Sequence, residues 1–237
     1  MRLSRLVSLV SLNAALYATL GYASYLGLFT PVIGVVRFWP SVFVPALFAV
    51  LFGGLIGGLG AAIGIFISDM LIHGNMLLSL TVGVPANFLC FFVIGALHER
   101  IKNSGKTWLL AAILEEFGVA ALIIALLQSG LLTWPEAIAY LLGVGVAAFF
   151  TIAYSSIGSP SIALACNTGL ILGSGIIGLG VYAYSQFFTL PSGTSRLAVS
   201  AALAWFVWTY ATEIPFMTAL VPPIMKTVGR ILPGANK

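Results

Sequence analysis

Long apolar runs, broken by short clusters of Gly, Pro and charged residues, fill nearly the whole chain. A helix needs roughly 20 apolar residues to cross the hydrocarbon core of a bilayer. The breaks between the runs predict eight helical segments. Their expected positions are 6–29, 41–53, 54–73, 81–98, 107–129, 134–156, 162–188 and 197–222. The second segment is short and is expected to cross only partly, or with help from residues 38–40.

The composition assigns these segments to a membrane. The 237 residues are 60% hydrophobic and only 7% charged, whereas a soluble domain has about 25% charged residues. Such a surface is not compatible with water, so the bilayer acts as the solvent. We therefore expect one integral membrane domain over 1–237, an all-α polytopic transmembrane helical bundle of about six to eight spans. The first four helices fall in 1–100 and the closing helices in 162–228.

The basic residues predict the orientation of the bundle. Of the 10 Lys and Arg residues, all but Arg37 and Arg196 fall on one side if eight segments cross. The positive-inside rule then places both termini in the cytoplasm. The same assignment puts Asp69, His73 and Asn75 at the outer side. The net charge of +4 forms no basic stripe, so no nucleic-acid partner is expected.

The stretch GGLIGGLGAAIGIFISDM at 53–70 is rich in very small side chains. At the helical period Gly53, Gly57, Gly60 and Gly64 share one face, which lets another backbone approach closely. Asp69 lies roughly 150° from the centre of that stripe. One face of this helix is therefore expected to pack, and the other to be polar at its outer end.

Two carboxylates, Asp69 and Glu213, leave alternatives open. Asp69 is a hydrated helix-end group, or the partner of a loop Arg, or a ligand contact lining a cavity. It can touch His73 at i,i+4, but nothing nearby completes a metal site, so no metal is expected. Glu213 precedes Pro215, so a role at a helix kink and a ligand role are equally compatible with the sequence.

The first helix carries a second stripe of small residues. Ala14, Ala18 and Gly21 share a face. This face serves either packing inside the bundle or docking of another membrane protein. Trp39 and Trp134 stand at or beside predicted helix starts, as does Trp108, which favours a membrane-interface belt.

No enzyme or cofactor motif is present in the chain. There is no P-loop, no HExxH, no GxSxG and no repeated Asp-rich signature. Neither enzymatic activity nor a cofactor is therefore expected. The missing P-loop also argues against transport driven by an ATPase within this chain.

The run from Asn13 to Arg100 resembles the substrate-binding (S) component of energy-coupling factor (ECF) transporters, in their riboflavin-transporter-like branch. The matching pieces are LNAALYATL, PVIGVVRFWP, VPALFAVLFGGLIGGLGAAIGIFISDML and IGALHERIK, and more loosely TEIPFMTALVPPIMK. They cover roughly half of the chain. Two departures matter: 107–157 predicts an extra helical pair or a splitting of longer helices, and the N-terminus lacks the start typical of cobalt- and nickel-transporting members.

The resemblance implies a function. S components are small helical bundles, usually of six helices, in a prokaryotic plasma membrane. They bind a vitamin or similar micronutrient at the outer side and do not hydrolyse ATP. They dock through AxxxA-type residues, here Ala14 and Ala18, onto a transmembrane T component that couples to two cytoplasmic ATPases. The loop near Arg37 becomes a lid over the pocket.

The expected depth of each residue in the membrane, and the side on which it lies, then give the candidate residues. The expected ligand contacts are Arg37, Asp69, His73, Asn75, Asn87, Tyr184 and Trp205. The expected docking or helix-packing residues are Ala14, Ala18, Gly21, Gly57, Gly60 and Gly64. Two other functions stay open: an ion-coupled secondary transporter using Asp69 or Glu213, and an intramembrane enzyme using Asp69 and His73 as acid and base.

Overall fold

A computed structural model describes residues 3–28, 32–33, 36–103, 107–156 and 160–231 of the chain. Within these residues the chain forms eight helices, each overlapping one of the predicted segments. They are α1 (Leu3–Ala23), α2 (Phe43–Phe52), α3 (Gly54–Ile72), α4 (Met76–Ile101), α5 (Thr107–Gln128), α6 (Trp134–Ala153), α7 (Pro160–Phe187) and α8 (Ser200–Ile231). The prediction of an all-α helical bundle is confirmed.

Short irregular elements join some of these helices. A π turn at Ser24–Leu28 follows α1, and strand β1 (Val32–Ile33) pairs antiparallel with strand β2 (Val36–Arg37). A 3₁₀ turn at Pro40–Val42 leads into α2. A second π turn, Ser79–Gly83, lies inside α4. Such turns within helices are frequently found at functional sites.

Six of the helices in the described part of the chain are long and apolar enough to cross a bilayer. They are α1, α3, α4, α5, α6 and α7. Helix α2 is too short on its own, and α8 is long but richer in polar side chains. Large apolar side chains such as Phe117 and Phe149 are exposed on the outside of the bundle. The chain therefore has the features of a multi-pass membrane protein.

The helices enclose a central space. Helix α3 packs between α1 and α4, α4 packs on α7, and α7 packs on α8. Helices α5 and α6 are separate helices that pack on each other, α5 also against α7 and α6 also against α8. The segment 107–157 therefore does not arise from the splitting of a longer helix. The ring formed by α1, α3, α4, α7 and α8 positions the candidate site.

The expected glycine stripe of α3 needs one correction. Gly53 is not part of the helix: it has φ of 98° and ψ of 159° and ends α2. Only glycine adopts such a backbone at little cost. Gly53 therefore makes the turn that separates α2 from α3, and an added Cβ there would meet no atom within 4 Å.

The rest of the stripe packs closely, as predicted. Gly57 faces α2, while Gly60 and Gly64 face α1. A Cβ added at Gly64 would lie 2.9 Å from the carbonyl oxygen of Ala14, and one added at Gly60 would meet the side chain of Asn13. Small residues are therefore required wherever α3 crosses its neighbours.

The small residues of α1 lie inside the bundle. Ala14 and Ala18 are only 3% and 7% exposed, and Gly21 lies against the ring of Trp39. Of the two roles expected for this stripe, the structure supports helix packing. Ala18 also lines a groove between α1 and α3 together with Ile67 and Leu71. The docking role expected for Ala14 and Ala18 therefore stays a prediction.

Candidate functional site

The candidate site is a cavity of about 100 Å³ enclosed by α1, α3, α4, α7 and α8. A buried water needs only about 10–15 Å³ by the same kind of measure, so the cavity has room for a small molecule. The ionisable and polar side chains that line it are Tyr17, Trp39, Asp69, His73, Asn87, Cys90, Ser174, Thr209 and Glu213. Most of the remaining lining residues are apolar, as in small-molecule sites generally.

One end of the cavity lies where α3 meets α4, at the predicted outer side of the membrane. The Ser79 hydroxyl donates to Asp69 Oδ2 at 2.7 Å, and His73 Nε2 lies 3.4 Å from Asp69 Oδ1. The backbone N–H of Asn75 donates to His73 Nδ1 at 3.0 Å. Because Nδ1 accepts this bond, the ring presents its other nitrogen to the carboxylate. Gly83 leaves room for Asp69, since an added Cβ there would lie 2.9 Å from Oδ2.

Asn75 and Tyr184 extend this group of residues. Asn75 Oδ1 accepts from the backbone N–H of Leu78 at 3.0 Å and so caps the start of α4. The Asn75 amide and the Tyr184 hydroxyl lie 3.1–3.2 Å apart and bond to each other. We call Asp69, His73, Asn75, Ser79 and Tyr184 the outer cluster. Its members satisfy one another, and this network joins α3, α4 and α7.

Asn87 lies deeper along α4. Its Oδ1 accepts from the Tyr17 hydroxyl at 2.7 Å, and its Nδ2 donates to the carbonyl of Gly83 at 2.9 Å. The Tyr17 ring packs edge-on against Trp39 and Phe91, with centroid distances of 6.2 and 6.0 Å. All three rings line the cavity. The predicted interface position of Trp39 is wrong, because its side chain is 4% exposed and faces the interior.

The opposite end of the cavity has a different character. Ser174 of α7 and Thr209 and Glu213 of α8 line it, and we call these three residues the inner cluster. Ser174 and Glu213 each lie about 20 Å along their helices from the ends near the outer cluster. This depth corresponds to the middle of a bilayer, whose hydrocarbon core is about 30 Å thick.

The described residues do not satisfy the polar groups of the inner cluster. The hydroxyls of Ser174 and Thr209 are fully buried and have no hydrogen-bond partner within the described residues. Glu213 is 7% exposed, and its carboxylate has neither a hydrogen-bond donor nor an ion pair in the same part of the chain. It does not bond to a backbone carbonyl near Pro215, so the kink role is not supported. These groups are therefore available to a ligand.

Two of the expected ligand residues, Trp205 and Arg37, are not among the described residues that line the cavity. Trp205 is buried in the core but is not part of the cavity lining. Arg37 belongs to β2, and its side chain lies outside the described residues, as does most of the predicted lid. Asp69, His73 and Asn87 do line the cavity, while Asn75 and Tyr184 bond to each other beside it.

Sequence analysis missed several cavity residues because their local sequence gives no signal of a site. Tyr17 and Trp39 follow no polar pattern, and Ser174 and Thr209 are single hydroxyls in apolar helices. Such hydroxyls often bond to their own helix backbone. Only the absence of that bond, which needs coordinates, distinguishes them. Glu213 was recognisable as an intramembrane carboxylate but not as a cavity residue.

A second polar group lies away from this cavity. Glu116 Oε1 accepts from the Thr151 hydroxyl at 2.7 Å and from Asn167 Nδ2 at 3.1 Å. Glu115 Oε1 accepts from the Thr168 hydroxyl at 2.8 Å. These bonds join α5 to α6 and α7. In the part of the chain that the structure describes, no group of three or more His, Cys, Asp or Glu side chains could hold a metal ion.

Comparison with known proteins identifies no relative of the chain. No family model, no curated protein and no solved structure matches the chain. The functional argument therefore depends on the cavity and its side chains.

Proposed function

We propose that this protein is the membrane-embedded substrate-binding subunit of an ECF-type importer. It captures a vitamin or related micronutrient from outside a prokaryotic plasma membrane. The observation that carries the proposal is the inner cluster, in which buried polar groups without partners line a cavity inside a membrane bundle. Unsatisfied groups of this kind are expensive at such depth and mark substrate or ion pathways. The resemblance of 13–100 to S components supports the same function.

The proposed partners are a transmembrane T component and, through it, two cytoplasmic ATPases. Because Ala14 and Ala18 are buried, we place the docking surface on the neighbouring, exposed face of α1, about 90° around the helix. There Ser11, Ala15 and Thr19 are exposed at helical spacing. Small residues on a lipid-facing surface allow another helix to approach closely.

Substrate capture is tested with the protein purified in detergent. Mass spectrometry of the purified protein is expected to find a small organic compound in stoichiometric amount. Uptake of that compound into proteoliposomes should then require the T component and ATP. Recovery of no compound, together with uptake driven by a proton gradient without ATPases, would reject the proposal.

Docking is tested by substitutions at two adjacent residues of α1, one buried and one exposed. Ala15→Trp places a bulky ring on the exposed face, and it is expected to abolish uptake while ligand binding stays intact. Ala14→Trp overpacks the contact with α3 and is expected to lower thermal stability. Equal loss of ligand binding in the Ala15 variant would show that the exposed face has no docking role.

An ion-coupled secondary transporter is the second candidate function. The observation that favours it is the Glu116 group, where Glu116 Oε2 and Asn167 Oδ1 are buried without partners among the described residues. Proton-relay residues in transporters lie in such positions. Substrate uptake that is abolished by Glu116→Gln and needs no ATP would favour this function over the importer.

A further inference from the structure

The starting observation concerns the charge of the cavity. Two carboxylates, Asp69 and Glu213, line it, and no Lys or Arg is present among the described lining residues. His73 faces Asp69 at 3.4 Å, so it is engaged at the outer end of the cavity. Among the described residues, no comparable group faces Glu213. The inner end therefore presents a carboxylate without a positive partner from the described part of the chain.

A carboxyl group in this position stays ionised only with a positively charged complement. Taking an isolated charge out of water is costly unless it is paired and hydrogen-bonded. The protein supplies no donor to Glu213 within the described residues. A positively charged ligand would supply both the charge and the donors. Charge-assisted hydrogen bonds of this type are about twice as strong as neutral ones.

The neighbours of Glu213 suit the same ligand. Thr209 lies one helical turn before Glu213 on α8, so both side chains reach the same face. Ser174 faces the cavity from α7. Each of these hydroxyls has free acceptor lone pairs, which can accept from a ligand N–H. A cationic nitrogen could therefore find one carboxylate and two hydroxyl oxygens at the inner end.

The aromatic rings add a second attraction. Tyr17, Trp39 and Phe91 line the cavity, and they pack edge to face around Tyr17. The face of an aromatic ring attracts a cation within about 6 Å. A cavity that combines ring faces with a carboxylate discriminates against anionic ligands.

We propose that the substrate is a small organic cation whose positively charged nitrogen binds Glu213, with Thr209 and Ser174 accepting its hydrogen bonds and the aromatic rings contacting its body. This inference rests on the proposed function and names the substrate class of the same site. The inference assigns recognition of the ligand's positive charge to Glu213 rather than to the Asp69–His73 pair.

The first experiment identifies what the native protein binds. The wild type and Glu213→Gln are purified in parallel, and co-purified compounds are extracted and analysed by mass spectrometry. A compound that carries a positive charge at neutral pH, bound to the wild type and depleted in Glu213→Gln, is the expected result. Glu115→Gln is the matched control, because it neutralises a half-buried glutamate away from the cavity and should keep the compound.

The second experiment uses defined probes in pairs that differ in charge but not in shape. Benzylamine, whose ammonium group donates hydrogen bonds, is compared with benzyl alcohol. Choline, which carries the charge without an N–H donor, is compared with 3,3-dimethyl-1-butanol, and benzoate is the anionic probe. A bound ligand raises the thermal stability of the folded state. We expect the cationic member of at least one pair to raise the Tm of the wild type, and Glu213→Gln to weaken its binding at least about thirtyfold.

The outcomes separate the two proposals. If the bound compound is neutral or anionic, or if Glu213→Gln binds the cation as well as the wild type, the substrate class is wrong while the binding function stands. If nothing co-purifies and no probe raises the Tm, both proposals fail. Size-exclusion chromatography shows whether Glu213→Gln is folded, and Thr209→Val, which keeps the side-chain shape, supplies a second test with an expected smaller loss.

Discussion

The two ends of the cavity differ in how their polar groups are satisfied. In the outer cluster, Asp69 accepts from Ser79 at 2.7 Å, and Asn75 and Tyr184 bond to each other. In the inner cluster, the described residues offer no partner to Glu213. The first arrangement stabilises the fold, whereas the second leaves polar groups that a ligand can satisfy. Polarity alone therefore does not identify a candidate site; the inner cluster is distinguished because its polar groups both lack partners among the described residues and line a cavity.

The largest expected effect on stability concerns Asp69. Asp69→Leu removes the acceptor of the Ser79 hydroxyl and the partner of His73. Leaving the buried Ser79 hydroxyl and the largely buried His73 ring without this partner should lower the free energy of unfolding by about 2–4 kcal/mol. Thermal or denaturant unfolding in detergent measures the loss. Asp69→Asn keeps one acceptor oxygen and should lose less; a wild-type stability for Asp69→Leu would contradict the structural role of the outer cluster.

The corresponding change in the inner cluster should have the opposite sign. Glu213→Leu removes a buried carboxylate that has no partner among the described residues. The ligand-free protein should therefore gain about 1–3 kcal/mol in its free energy of unfolding, while ligand binding is lost. The same unfolding measurement, made after the ligand has been removed, checks the gain. A destabilised Glu213→Leu variant would show that Glu213 supports the fold.

Much of the fold follows from the sequence because the bilayer fixes helix length and excludes unpaired backbone groups. Two details do not follow. Helix α4 begins at Met76 rather than near 81, because Asn75 caps it and a π turn continues the helix. Gly53 is a turn residue, and its positive φ cannot be told from a packing glycine by spacing alone.

Only part of the candidate site could be predicted from the sequence, for a similar reason. Asp69 and His73 can be recognised in the sequence as polar residues at the end of an apolar helix, so their contact at i,i+4 was expected. Pairs distant in sequence, such as Asn75 with Tyr184, depend on how the helices pack. Whether a hydroxyl such as Thr209 has a partner depends on every neighbour, and no local pattern records that.

A smaller loss is expected at the edge of the outer cluster. Tyr184→Phe removes one hydrogen bond to Asn75 and should lower the free energy of unfolding by about 1 kcal/mol. Ligand affinity should not change, because Tyr184 does not line the cavity. Thermal unfolding and a binding isotherm measure the two quantities. Asn75→Ala should lose more, since it also removes the cap of α4.

The smallest stability effect is expected where the hydroxyl has no partner. Thr209→Val removes a buried hydroxyl without breaking a bond within the described residues, so the free energy of unfolding should stay within about 0.5 kcal/mol of the wild type. Ligand affinity should fall by about 2- to 10-fold, since one hydrogen bond to the ligand is lost. Titration of the purified variant measures the affinity.

Thr212→Val is the matched control: its hydroxyl bonds to the carbonyl of Trp208 at 2.7 Å and does not face the cavity. If both variants bind the ligand equally well, Thr209 does not contact it, and the inner cluster is reduced to Glu213 and Ser174.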